Sequence, residues 1–180
     1  ALNEIVKEKH ISDPGEILNR LSQYIVASLK QENKEKADPE MMKSVKDGMD
    51  IALCSIDEKS GVLKYAGANN PLYYVENGIL KEIKGDRQPV GVFAGNIKPF
   101  VTHTVPLKDL EAFYIFSDGY ADQFGGPASK KFKYAQLQSL VASSWKKTPA
   151  QQSEAFASAF HSWKGNLEQV DDVLLMGVLL

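Results

Sequence analysis

The chain has 180 residues, of which 43% are hydrophobic and 24% charged, and its formal net charge is −2. That length buries a real core and sets one domain over residues 1–180 as the default, while the composition excludes a disordered chain. The near-neutral balance argues against nucleic acid or an anionic membrane surface as partner, and no signal peptide or apolar run of spanning length appears, so the piece is expected in the cytoplasm or facing it.

Residues 1–9 read as the tail of a helix. The chain opens without a methionine and inside that helix, which reads as a fragment of something longer. Asp13-Pro14 starts a second helix: Asp13 caps, Pro14 suits the first helical position, and Glu16 completes the cap. Ile17, Leu18, Leu21, Ile25 and Leu29 follow at helical spacing and predict its buried face. Gln31 to Lys46 is charged, lacks periodicity and carries Pro39; it reads as a mobile loop with a helical turn over 39–44.

From Met49 the period changes to two. Met49 to Asp57 predicts a strand, Glu58 to Gly61 a turn, and Val62 to Ala66 the antiparallel partner. Cys54, the single cysteine, sits in the apolar stretch 51–56 and reads as a small core residue rather than a nucleophile. After the break at Ala68 to Pro71, Leu72–Val75 and Ile79–Ile83 flank Asn77-Gly78, a hairpin signal. A loop with Pro89, Gly91 and Gly95 leads to strands over 100–105 and 112–116, so the order is an antiparallel meander rather than a βαβ series. A short helix over 120–124 and a flexible stretch over 125–129 come next. Tyr134, Leu137, Leu140, Val141 and Trp145 mark one amphipathic helix. Thr148-Pro-Ala-Gln151 caps another, whose core face carries Phe156, Phe160 and Trp163. Val173 to Leu180 reads as a central closing strand.

Two acidic turns carry the chemistry. Ala112 to Phe116 runs into Asp118-Gly119, and Asp171-Asp172 opens the last apolar run. A carboxylate at the rim of a core strand is held rigidly while its oxygens reach solvent. Two such groups brought together repel, and a divalent cation relieves the repulsion. Oxygen-only ligation selects magnesium or manganese over zinc. Each turn also has a plain structural reading, because Asp-Gly is a common turn dipeptide and Asp171-Asp172 suits a solvated strand start.

Taken together, Gly48-Met-Asp-Ile-Ala-Leu53, Tyr65-Ala-Gly-Ala-Asn-Asn-Pro-Leu-Tyr73, Gln88-Pro-Val-Gly91, Tyr114-Ile-Phe-Ser-Asp-Gly-Tyr-Ala-Asp-Gln-Phe-Gly-Gly126 and Glu168-Gln-Val-Asp-Asp172 resemble the stage II sporulation E-like branch of the metal-dependent protein phosphatases (the type 2C fold) over essentially the whole chain. The resemblance implies an α+β fold, an αββα sandwich of two antiparallel sheets flanked by helices. It makes this chain the C-terminal larger part of a catalytic domain that lacks its first strands. It implies hydrolysis of phosphoserine or phosphothreonine on a regulatory protein, by water activated between two Mn2+ or Mg2+ ions. Asp118 and Asp171 match two metal-binding aspartates of the family, and Asp172 is grouped with the metal site as the neighbour of the second. Gly119, Asn69, Asn70 and Gly91 are the candidates for lining the substrate.

The same resemblance implies an upstream sensor domain in the parent chain and a phosphoprotein substrate, for example an anti-sigma-factor antagonist in a partner-switching pathway. Two departures stand out. The family's earlier Asp-Gly and Gly-His-Gly turn are absent, with Asp47-Gly48 the only earlier candidate and not in the family's position. Leu174 stands where the family often has threonine. These departures keep a rival reading open, a non-catalytic interaction domain that retains the fold.

Other candidates stay double. Asn69 and Asn70 read equally as a proline-linked turn, and Gly91 as plain backbone geometry. Arg87 and Lys130, Lys131 and Lys133 read as surface charge or as phosphate-attracting groups. His10, His103 and His161 have no metal-ligand spacing, and His103 reads as a sheet-face or core histidine.

Overall fold

The computed structural model describes residues 1–8, 10–35, 48–93, 95 and 97–180. In chain order, a π-helical turn at Glu4–Glu8 precedes α1 (Pro14–Glu35), β1 (Gly48–Met49), β2 (Ile51–Asp57), β3 (Val62–Ala68), β4 (Leu72–Glu76) and β5 (Ile79–Ile83). There follow β6 (Val90–Gly91), β7 (His103–Pro106), β8 (Leu110–Phe116), α2 (Gly119–Asp122), β9 (Phe124–Gly125) and β10 (Lys130–Lys131). The last elements are α3 (Tyr134–Ser144), α4 (Pro149–Lys164) and β11 (Leu175–Leu179). Every pairing between these strands is antiparallel, which makes the fold α+β. The residues form two compact units, Ala1–Pro71 with Lys84–Lys108, and Leu72–Ile83 with Asp109–Leu180.

In the first unit the sheet order is β2-β3-β7, and α1 lies against it. Asp13 caps α1 as expected, its Oδ1 accepting the Glu16 N–H at 3.0 Å. Ile17, Leu18 and Leu21 are buried against Ala66, Ala68, Val90 and Phe100, with Ile25 partly buried beside them. The helix runs on to Glu35, four residues past the start of the expected loop. Gln, Glu and Lys sustain a helix by propensity even where apolar periodicity has stopped. The rest of that loop, its expected turn over 39–44 and Asp47 lie outside the described residues.

Two strand readings shift. The expected strand over 49–57 breaks at Asp50: β1 pairs with β6, and β2 with β3. The strand expected from residue 100 begins at His103. Its first amides are taken by side chains instead, Phe100 N–H by Asn19 Oδ1 and Val101 N–H by Asp86 Oδ2, both at 2.9 Å.

The second unit holds the sheet β11-β8-β4-β5. The β4–β5 hairpin turns at Asn77 and Gly78, both at positive φ (52° and 75°), as the dipeptide predicts. The expected meander is thus divided between two sheets, because β7 returns to β3 while β8 pairs with β4. Tyr73, Val75, Tyr114 and Phe116 of the sheet bury against Leu137 and Val141 of α3 and Phe156 and Phe160 of α4. Each such fully buried side chain contributes about 1.5–3 kcal/mol.

Two further expectations change in this unit. The glycine-rich stretch over 125–129 is an ordered turn joining β9 to β10, with Gly126 N–H donating to Trp163 O at 2.8 Å. The final strand starts at Leu175 and lies at the edge of its sheet, leaving Leu174 58% and Met176 48% exposed. An apolar run without alternation matches a central strand and an edge strand equally, and only pairing tells them apart.

The α3–α4 corner is built from polar contacts. Tyr114 Oη donates to Gln152 Oε1 at 2.8 Å, and Gln152 Nε2 donates to the Trp145 and Lys147 carbonyls, both at 2.9 Å. Thr148 and Gln151 form the reciprocal capping box at the start of α4. Thr148→Ala removes one half of that box and is expected to cost about 1 kcal/mol. At roughly 2–4 °C per kcal/mol for a chain of this size, thermal denaturation followed by circular dichroism should show a fall of that order.

Candidate functional site

β8 places Asp118. Its apolar residues end at Phe116, and Asp118 stands two residues later at the N-cap of the short α2, half-buried and making no capping hydrogen bond with its side chain. β11 places Asp171 and Asp172. It pairs with β8 from Leu175 opposite Phe116, so the segment before β11 runs beside the residues that follow β8. The approach is close at Gly119: a Cβ there would stand 3.0 Å from the Asp172 carbonyl carbon, with the carbonyl oxygen nearer still. Only glycine lets the start of α2 and the acidic segment meet this way.

The acidic segment itself has no regular structure, and both its aspartates are exposed. Asp171 Oδ1 accepts the Asp172 N–H at 2.7 Å, and Gln169 Nε2 donates to the Asp171 carbonyl at 2.8 Å. Ser117 ties the segment to the end of β8: its Oγ donates to Asp172 O at 2.8 Å and accepts the Leu174 N–H at 2.9 Å. Ser117 was not singled out from the sequence. Its place directly before Asp118-Gly119 was the one available signal, and a serine there reads as part of the turn.

Asp118, Gly119, Asp171 and Asp172 therefore lie together in the second unit, whereas Asn69, Asn70 and Gly91 belong to the first. Asn69 sits at positive φ (58°), its N–H donating to Asp86 O and its Nδ2 to Asp50 Oδ1 at 2.7 Å. Asn70 is buried, and its carbonyl accepts the Tyr65 hydroxyl at 2.5 Å. These are the bonds of a built turn. Gly91 has φ 120° and donates its N–H to Ser22 Oγ at 3.1 Å.

The remaining candidates take ordinary places. Burial pushes the Cys54 thiol up to about 12, so it carries no thiolate near neutral pH. His103 is half-buried with its ring 6.2 Å from that of Tyr65. Arg87 and Lys130 are exposed, and Lys131 forms an exposed ion pair with Asp122 at 2.8 Å, a contact worth little in water.

The carboxylates suit a hard cation in kind but not in number. Among the described residues, no group of three or more histidine, cysteine, aspartate or glutamate side chains is gathered as a metal ion requires. A complete metal pair therefore does not fit the described residues alone. Also among them, no helix is long and apolar enough to cross a membrane.

No curated protein matches the chain. Among solved structures, the SiaA-PP2C domain of Pseudomonas aeruginosa superposes with a TM-score of 0.80 at 23% identity, over 100% of this chain and 65% of that one. A manganese-presoaked form of the phosphatase domain of the cell fate determinant SpoIIE from Bacillus subtilis gives 0.54 at 12% identity, over 91% of this chain and 73% of that one. The RsbU and RsbW domains of a Mycobacterium tuberculosis protein give 0.55 at 18%, over 89% and 46%. The fold is that of these domains, and the chain spans less than two thirds of the first and third. The family described as stage II sporulation protein E matches residues 1–179. With that match running almost end to end, the chain belongs to the stage II sporulation protein E (SpoIIE) family.

Proposed function

We propose that the protein hydrolyses phosphoserine or phosphothreonine on a regulatory protein, as the output domain of a bacterial signalling protein acting in the cytoplasm. The observation that carries this reading is the approach of Gly119 to the Asp172 carbonyl, which sets the two acidic turns side by side within one unit. Family membership supplies the reaction class. Asp118 and Asp171 contribute carboxylates toward a Mn2+ or Mg2+ ion, with Asp172 beside them, and further ligands complete the donor set. A manganese-presoaked relative supports the choice of metal. A phosphoprotein of the anti-sigma-factor-antagonist class is the proposed substrate, supported by the relative that carries RsbU and RsbW domains in one chain.

The rival reading, a non-catalytic interaction domain, is favoured by one observation, the lack of a third ligand among the described residues. Metal removal separates the two. The full-length gene product is expected to release phosphate from p-nitrophenyl phosphate and from a phosphoserine peptide with Mn2+ or Mg2+. Activity should fall to background in EDTA and return on adding excess metal. Failure to hydrolyse either compound with either metal would overturn the phosphatase reading in favour of the rival.

A further inference from the structure

We propose that Gln123 is a positioning residue, a buried strut that holds the Asp171–Asp172 segment against the end of β8 for the reaction; this rests on the phosphatase reading above. Gln123 follows α2 directly and is 0% exposed. A side-chain amide removed from water has to find partners for its donors and its acceptor, and this one finds them on the acidic segment. Its Nε2 donates to Glu168 O at 2.9 Å and to Phe124 O at 3.0 Å, and its Oε1 accepts the Val170 N–H at 3.4 Å. One amide thus engages both a carbonyl and an N–H within the three residues before Asp171.

Gln123 is itself fixed from two sides. Its carbonyl accepts the Trp163 indole N–H at 3.0 Å and the Phe132 N–H at 2.9 Å. On the far side of the acidic pair, Ser117 Oγ grips Asp172 O and Leu174 N–H. The pair is therefore held before by Gln123, at the end of α2, and after by Ser117, on the β8–α2 connection that also carries Asp118. The bonds within the segment itself, Gln169 Nε2 to Asp171 O and Asp172 N–H to Asp171 Oδ1, are local and do not tie it to the rest of the unit. Residues 167–172 are exposed and irregular, so apolar burial does not set their path. An irregular exposed stretch loses conformational freedom when ordered, and the bonds from Gln123 and Ser117 oppose that loss. An apolar side chain of the same length fills the space of Gln123 but releases the Glu168 carbonyl and the Val170 N–H from the end of α2.

The test compares Gln123→Met, Ser117→Ala, Ser117→Thr and Asp118→Asn in the full-length protein. It reads hydrogen exchange by mass spectrometry together with separate kcat and KM values for p-nitrophenyl phosphate. In Gln123→Met, exchange over 168–174 should quicken about tenfold or more while α3 and the β4–β5 hairpin keep their protection. Its kcat should fall roughly 10–100-fold, the range seen when groups orienting a reactive residue are removed, with KM within about twofold. Ser117→Ala should move both readings the same way, and Ser117→Thr, which keeps the hydroxyl, should recover most of the lost kcat.

Unchanged exchange over 168–174 in Gln123→Met would overturn the proposal, as would a wild-type kcat alongside quickened exchange. Quickening spread evenly over the second unit would also overturn it, marking Gln123 as a core residue only. If Asp118→Asn is inactive and Gln123→Met is fully active, the positioning role alone fails. If Asp118→Asn is as active as wild type, the phosphatase reading fails in its own arm and the positioning role falls with it.

Discussion

Asp118→Asn and Asp171→Asn, each made in the full-length protein, are expected to abolish phosphate release while leaving the melting temperature of the metal-free protein within about 2 °C, the shift of a fraction of a kcal/mol. Amide replaces carboxylate without a change of shape, so the contacts that depend on shape survive. Asp171 Oδ1 accepts the Asp172 N–H, and the asparagine Oδ1 accepts it in the same geometry, as a weaker, neutral bond on an exposed segment. The Asp118 side chain makes no capping hydrogen bond to α2, so that helix start loses none. What disappears is charge. Neighbouring carboxylates repel, so in the metal-free protein neutralising one is neutral to mildly stabilising.

On the proposed function the same change removes a carboxylate from the site, and a loss of about 4 kcal/mol in transition-state stabilisation corresponds to roughly a thousandfold in rate. The double variant should be no slower than either single one, because groups acting as a unit do not add. Asp172→Asn, which the proposed function places beside Asp118 and Asp171, should fall less, about 10–100-fold. Steady-state phosphate release and differential scanning fluorimetry together read both effects. Undiminished activity in Asp118→Asn or Asp171→Asn would remove both residues from the site.

The largest loss of stability is expected at Gly125. A Cβ at this position would lie 2.5 Å from the Trp163 carbonyl carbon and 2.7 Å from its Cδ1, with the carbonyl oxygen closer. The obstacle is backbone at the end of α4, not a flexible side-chain tip, so Gly125→Ala has to push the β9–β10 hairpin off the helix. The displacement strains the Gly126 N–H to Trp163 O bond and the Trp163 indole bond to Gln123 O, and it disturbs the edge-on packing of Trp163 against Phe132 at 5.4 Å. Overpacking together with loosened buried hydrogen bonds puts the cost at about 3–5 kcal/mol, lowering the melting temperature by about 10 °C. Gly78→Ala is the control. A Cβ there meets nothing within 4 Å, and the variant bears only the strain of the β4–β5 hairpin's φ of 75°, about 1–2 kcal/mol. Equal melting temperatures for the two variants would show that the β9–β10 hairpin does not press on α4.

Local chemistry carried much of the fold. Asp13-Pro14, Asn77-Gly78 and Thr148-Pro-Ala-Gln151 each determine a few dihedrals through their own side chains, and each forms the expected cap or turn. Asp118 after an apolar strand was legible in the same way. What failed depended on partners distant in sequence. The delayed start of β7 follows from Asn19 and Asp86, which lie 81 and 15 positions from the amides they take. The edge position of β11 follows from pairing, which hydropathy does not encode. Gln123 was invisible as a functional candidate because its meaning comes from the Glu168 carbonyl and the Val170 N–H, 45 and 47 residues away. The assignment of chemistry to Asp118 and Asp171 came from joint motifs, since either turn alone is an ordinary turn.

The pairing of β11 with β8 joins Leu175 to Phe116, with the helical hairpin α3–α4 filling the interval. Closing so long an interval is entropically slow, and the packed hairpin shortens it by folding most of the intervening residues upon themselves. Asp171 therefore takes its address from Ser117 and from Gln123, whose own carbonyl is anchored by Trp163 near the end of α4. Mild warming that frays α4 would scatter the acidic half first and leave Asp118 standing on an intact strand, so inactivation should precede the main unfolding transition.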